Sequence, residues 1–145
     1  MKKKILIFGA GSIGNHMTNA CLKLGYKVYI TDKSEKALKF MKNSLFLKRY
    51  GYWDNKNINQ VNLKNINNLE NILFDLIIIG TPPYSHFSIA ELCRKSFKFK
   101  NLLIEKPICS FIENQNKFIK YCHQKNKRVF CGYNHSVSPG IFKLL

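Results

Sequence analysis

At 145 residues the chain has the length of one ordinary domain, and 46% hydrophobic with 13% aromatic residues excludes a disordered segment. Lys and Arg number 24 against 8 Asp and Glu, a formal net charge of +16, yet the lysines are spread over every segment among many Asn and Ile. A nucleic-acid binder gathers such charge into one stripe, which argues against that function, and the lack of any apolar run of about 18 residues argues against a membrane span.

The first element is predicted over 4–8, a short, nearly continuous apolar run suited to a strand buried on both faces. It leads straight into glycines with no small-residue cleavage site, so it reads as a strand and not a secretory signal. A helix is predicted over 12–24, with Ile13, Met17, Ala20, Cys21 and Leu24 inward and Gly25 as its stop. A second strand over 28–31 ends at Asp32, and Ser34 is the expected N-cap of a helix carrying Ala37, Met41 and Leu45 on one face. The segment 50–55 is aromatic and turn-prone; a short strand is expected over 60–63 and a short helix over 67–73.

The run 75–80 is a strongly apolar strand ending in Thr81-Pro82-Pro83, after which Ser85 opens a helix with Ile89, Ala90, Cys93 and Phe97 inward. Residues 102–104 form the next strand, closed by Glu105-Lys106-Pro107; a helix over 110–125 and a strand over 128–132 complete the series. Strands alternating with helices of this length define an α/β chain with a doubly wound parallel sheet and right-handed crossovers. The five cysteines (Cys21, Cys93, Cys109, Cys122, Cys131) form no C-x-x-C pair, and an odd number cannot pair fully within the chain. Reduced thiols in a cytoplasmic protein, with no metal site, are the expectation.

Gly9-Ala10-Gly11-Ser12-Ile13-Gly14 is a full G-x-G-x-x-G between a strand and a helix, and Asp32 ends the next strand 18 residues after Gly14. Each position has its own reason. Gly9 permits the tight turn, a side chain at Gly11 would block a pyrophosphate, and one at Gly14 would hold the helix off the sheet. Backbone N–H groups near Ser12 and Ile13 are free at the helix start and point at the phosphates, where the helix dipole adds favourable potential. Asp32 can accept hydrogen bonds from the adenosine ribose hydroxyls and would repel a 2′-phosphate, which favours NAD over NADP. Lys33 beside it softens that repulsion, so NADP stays open.

Three later motifs follow in order: Gly80-Thr81-Pro82-Pro83-Tyr84-Ser85-His86, Ile104-Glu105-Lys106-Pro107 and Gly132-Tyr133-Asn134-His135. With the glycine turn they resemble the cofactor domain of the Gfo/Idh/MocA oxidoreductases, and within that family the members acting on sugars or sugar nucleotides, whose last motif runs into a helix start like Pro139-Gly140. The resemblance implies a Rossmann domain over 1–133. It also implies that the loop of Thr81, Pro82, Pro83 and His86 lies along the cofactor's ribose and nicotinamide half, and that Glu105, Lys106 and Asn134 belong to the cofactor site, with the alternative that Glu105 only anchors its loop. Lys106 is the expected catalytic group, reaching the nicotinamide ribose and the substrate hydroxyl; a lysine at a cleft mouth favours developing alkoxide charge. Ser136-Val137 stand where the family usually has an arginine and an aromatic, which weakens any transfer of substrate contacts to that segment.

Residues 134–145 read as the start of a truncated second domain, the part that in the family binds substrate and supplies the acid/base histidine. A sugar-like substrate, and a homo-oligomer of the full-length protein, are therefore expected only once that domain is added. The rival readings are a non-catalytic dinucleotide-binding module, an inactive fragment and a basic nucleic-acid binder.

Overall fold

Strand β1 (Lys4–Phe8) becomes the centre of the sheet because every residue after Lys4 is apolar and buried, so neither face can meet water. The computed structural model describes residues 2–110, 116–117, 120 and 128–133. Six parallel strands lie in the order β3-β2-β1-β4-β5-β6, with β2 at Lys27–Asp32, β3 at Ile58–Asn62, β4 at Leu73–Ile79, β5 at Lys98–Glu105 and β6 at Arg128–Gly132. Chain order reverses at β1, which pairs with β2 on one side (Ile7 opposite Ile30) and β4 on the other (Ile7 opposite Ile78). That reversal opens a crevice beyond the carboxyl ends of β1 and β4. The doubly wound fold expected from the alternating pattern is the fold observed.

Alternating side chains feed two cores. On one face Leu6, Phe8, Phe74, Ile77, Ile79 and Leu102 pack with Ala90, Cys93 and Phe97 around helix α4 (His86–Ser96). Phe74 is fully buried there, with Tyr29 and Phe97 ring centroids 5.6 and 6.2 Å away. On the other face Ile5, Ile7, Val28, Ile30 and Ile78 meet Cys21 of helix α1 (Ser12–Lys23) and Leu38, Met41, Phe46 and Trp53. Burying a side chain of this size stabilises by about 2–3 kcal/mol. Burial also pushes the Cys21 thiol up to about 11, which keeps it protonated and inert at neutral pH.

Several local expectations are corrected. Helix α1 turns Gly14, Asn15, Thr18 and Cys21 to the sheet, while Ile13 and Leu24 are exposed. Small residues sit inward because the helix lies too close to the sheet to admit larger ones. The helix after Ser34, whose hydroxyl accepts from the Ala37 amide as an N-cap, runs as α2 (Glu35–Phe40), a π-turn (Met41–Leu45) and α3 (Phe46–Tyr50). The extra residue in the wide turn shifts the phase, so Leu38, Met41 and Phe46 face the core in place of the expected Ala37, Met41 and Leu45. Trp53, in the segment read as a turn, is buried edge-on to Phe46 with ring centroids 5.1 Å apart.

The helix expected over 67–73 is a 3₁₀ segment at Leu63–Leu69, and Leu73 already belongs to β4. Cys131 is half-buried and not a core thiol. Most of the helix expected over 110–125, with Cys122 and His123, lies outside the described residues, as do Asn134, His135, Pro139 and Gly140.

Candidate functional site

The turn between β1 and α1 is shaped by what its glycines exclude. Gly9 has φ = +104°, and its N–H donates to the Thr31 carbonyl at 2.8 Å, tying the exit of β1 to β2. A Cβ there would lie 2.9 Å from the Gly80 carbonyl oxygen, and the Gly80 N–H in turn donates to the Phe8 carbonyl at 2.9 Å. A Cβ on Gly14 would overlap the carbonyl oxygen of Gly9. Gly11 differs: nothing lies within 4 Å of where its Cβ would sit, so the space above it is open. Gly11 is also the N-cap of α1, with extended backbone and no side chain to cap the helix, and the first turn holds no acidic residue. The helical ladder begins with the Asn15 N–H on the Gly11 carbonyl at 3.0 Å, which leaves the amides of Ser12, Ile13 and Gly14 without an intrahelical acceptor.

Asp32, the last residue of β2, fastens this turn. Its Oδ2 accepts from the Ala10 N–H at 2.9 Å and its Oδ1 from the Ser34 N–H at 2.8 Å. Each oxygen keeps a further lone pair for a hydroxyl donor. Asp32 and Lys33 line a largely apolar cleft of about 210 Å³ together with Gly9, Leu63, Thr81, Pro82 and Ile89. Residues far apart in the chain thus converge beyond the ends of β1, β2 and β4. Open space above Gly11, free amides at the α1 start and a carboxylate at the far lip fit an adenosine diphosphate moiety, the diphosphate on the amides and the ribose on Asp32.

The proline loop follows β4. Pro83 opens a 3₁₀ turn (Pro83–Ser85) that runs into α4, and the Ser85 hydroxyl donates to Thr81 Oγ1 at 2.8 Å. His86 is fully buried, and both ring nitrogens face carbonyls: Nε2 lies 2.7 Å from the Thr81 oxygen and Nδ1 3.0 Å from the Pro107 oxygen. Sequence resemblance pointed to direct contact with the cofactor. The structure ties His86 to the loop after β4 and to the loop after β5 through these two carbonyls.

That second loop carries Glu105, half-buried at the end of β5, and Lys106, exposed beside it. The Lys106 N–H donates to Glu105 Oε2 at 3.2 Å, and β6 passes so close that a Cβ on Gly132 would press on Glu105 Oε1 at 2.8 Å. The Lys106–Pro107 peptide is cis.

One group of polar residues at the turn was missed by sequence reasoning. Arg49, from the last turn of α3, donates through Nη1 to Ser12 Oγ at 2.9 Å and lies 3.1 Å from His16 Nε2. The Tyr50 hydroxyl bonds to His16 Nδ1. Read from sequence, His16 is only a surface helix position. No local signal connects it to residues more than 30 positions away.

The fold and the turn define a dinucleotide-binding Rossmann domain. Residues 3–133 match the family model described as "Oxidoreductase family, NAD-binding Rossmann fold" (GFO_IDH_MocA). The chain belongs to that family. Among curated proteins no sequence matches it. Similar solved structures include a UDP-N-acetylglucosamine 3-dehydrogenase from Acidithiobacillus ferrooxidans, with a TM-score of 0.70 and 18% identity over 99% of this chain and 42% of that one. A myo-inositol 2-dehydrogenase from Lactobacillus plantarum has a TM-score of 0.73 and 20% identity over 99% and 40% of the two chains. A Thermus thermophilus dehydrogenase solved with NAD and α-ketoglutarate has a TM-score of 0.70 and 16% identity over 98% and 45%. The chain therefore spans less than half the length of each of these structures. Among the described residues no helix is long and apolar enough to cross a membrane.

Proposed function

We propose that the chain is the cofactor-holding part of an oxidoreductase that moves hydride between NAD(H) and a hydroxyl or carbonyl of a sugar-like molecule. The observation that carries this is the position of Asp32, which braces the glycine turn at Ala10 and lines the same cleft as Gly9, Thr81 and Pro82. In this reading the amides of Ser12 and Ile13, with the open space over Gly11, hold the diphosphate. Asp32 holds the adenosine ribose, and the cleft wall at Thr81 and Pro82, with Pro83 behind it, flanks the base and ribose. When bound, the nicotinamide supplies the hydride chemistry. Glu105 borders that end, Asn134 joins the site by the family resemblance alone, and Lys106 would offer an ammonium to negative charge developing on a substrate oxygen.

The sugar-like substrate rests on family membership and on the names of the similar dehydrogenases. We place the domain boundary after Tyr133, with residues 134–145 opening the part that would meet the substrate and supply an acid/base group. Free thiols and a nicotinamide cofactor fit a reducing cytoplasm. NAD is favoured over NADP because a 2′-phosphate would meet the Asp32 carboxylate.

Titration of the chain with NADH and NADPH, followed by nicotinamide fluorescence, tests this. NADH should bind more tightly, and Asp32→Ala should weaken NADH and narrow or reverse the preference. No binding of either at millimolar concentration, or an unchanged preference in the variant, would refute the reading.

A further inference from the structure

Arg49 is a charged fork with no carboxylate. Among the described residues the ion pairs are Arg94 with Glu91 and Lys100 with Asp75, and neither involves Arg49. Its Nη1 protons go to two neutral acceptors, Ser12 Oγ and His16 Nε2. Acceptance at Nε2 fixes the imidazole as the tautomer carrying its proton on Nδ1, and that N–H then donates to the Tyr50 oxygen. Tyr50 and His16 therefore orient the guanidinium, and both are fixed in turn: the Tyr50 ring packs edge-on against His16 at 5.9 Å and against buried Phe46 at 5.1 Å. Three of the five guanidinium N–H donors, on Nε and Nη2, remain for another partner. That partner should be an anion. The fork stands at Ser12, the first residue of α1, where free amides and an uncapped glycine already create positive potential.

We infer that Arg49 is a diphosphate ligand of this cofactor site, its guanidinium held at the start of α1 by Ser12, His16 and Tyr50 to pair with the anionic bridge of the dinucleotide. The inference rests on the dinucleotide reading of the turn. It adds a charge-assisted contact to a phosphate cradle otherwise made only of backbone amides and the helix dipole. The guanidinium fork suits a phosphate better than a lysine ammonium does, because two parallel N–H groups can meet two phosphate oxygens.

Three ligands separate the contributions: NADH, ADP-ribose, which keeps the diphosphate and lacks nicotinamide, and adenosine, which lacks phosphate. Affinities are measured by calorimetry for the first two and by saturation-transfer NMR for adenosine, on the wild-type chain, Arg49→Met and Arg49→Lys, with a thermal unfolding midpoint for each. Arg49→Met should weaken NADH and ADP-ribose by the same factor, about tenfold. Adenosine and the unfolding midpoint should stay unchanged, and Arg49→Lys should recover part of the loss, since it keeps the charge without the fork.

Unchanged NADH and ADP-ribose affinities in Arg49→Met overturn the assignment. So does equal weakening of all three ligands with a lower unfolding midpoint, which would make Arg49 part of the scaffold. If the wild-type chain binds neither NADH nor ADP-ribose, the dinucleotide reading fails and the assignment falls with it; failure of the Arg49 arm alone leaves that reading standing.

Discussion

Gly14 packs so closely beneath Gly9 that a Cβ on Gly14 would overlap the Gly9 carbonyl oxygen, whereas three residues earlier in the motif Gly11 faces open space. Two glycines of one motif therefore serve different ends, and substitution separates them. Gly14→Ala should cost more than about 3 kcal/mol, because backbone and not a flexible side chain must move. Gly11→Ala should leave stability within about 1 kcal/mol while lowering NADH affinity at least about tenfold, since the added methyl occupies the diphosphate space. Urea unfolding and NADH titration on both variants distinguish the two losses.

His86 faces the carbonyls of Thr81 and Pro107 from a fully buried position. His86→Leu keeps most of the volume and removes the ring N–H from between the two oxygens. A loss of about 2–3 kcal/mol in urea unfolding is expected, along with weaker NADH binding, because Thr81 and Pro82 line the cleft. Unchanged stability would show that the two loops hold their places without the ring.

Thr18 is fully buried on the inner face of α1, and its hydroxyl has no hydrogen-bond partner among the described residues. Thr18→Val exchanges that hydroxyl for a methyl of nearly the same shape. The variant should be more stable by about 1 kcal/mol, because an unmatched polar group is returned to water only in the unfolded chain. A higher urea midpoint with an unchanged slope is the expected readout.

Asp75 accepts from the Lys100 ammonium at 2.7 Å and from the Lys4 N–H at 3.0 Å. The Lys100 hydrogen bond, followed by that of the Lys4 amide, holds its carboxyl below the usual carboxylate range. A depressed folded value means the contribution is complete above about pH 4, the unfolded range, and is lost as pH falls through the folded value. Asp75→Asn should therefore be less stable than wild type at pH 7 by about 0.5–1 kcal/mol, given the exposure of the pair. The difference should shrink steadily below about pH 4 in paired unfolding curves.

The strands were legible because burial on both faces demands continuous apolar runs, and 5–8 and 76–79 have them. The glycine turn was legible because its chemistry is local. Helix α1 misled for a physical reason: the close approach imposed at Gly14 leaves room only for small side chains, so Asn15 and Thr18 went inward and Ile13 and Leu24 outward. Hydrophobic periodicity assumes the opposite. The Arg49–Ser12 contact joins residues 37 positions apart through helix packing, and no periodicity in either helix encodes it. His86 stood out by its place in a motif, yet its role depends on the carbonyl of Pro107, a neighbour visible only once the chain is folded.

The π-turn at Met41–Leu45 lies upstream of Arg49 and Tyr50 on one continuous helical rod. Each residue of such a rod advances the next by about 100°. Removing one residue from the wide turn would restore an ordinary helix in which the deletion and the lost bulge cancel, so Phe46 would stay on the core and the guanidinium at Ser12. Straightening the wide turn while keeping its length would instead rotate everything after it by that angle, so the winding of a segment remote from the glycines acts as a dial on the charge presented to an anion there.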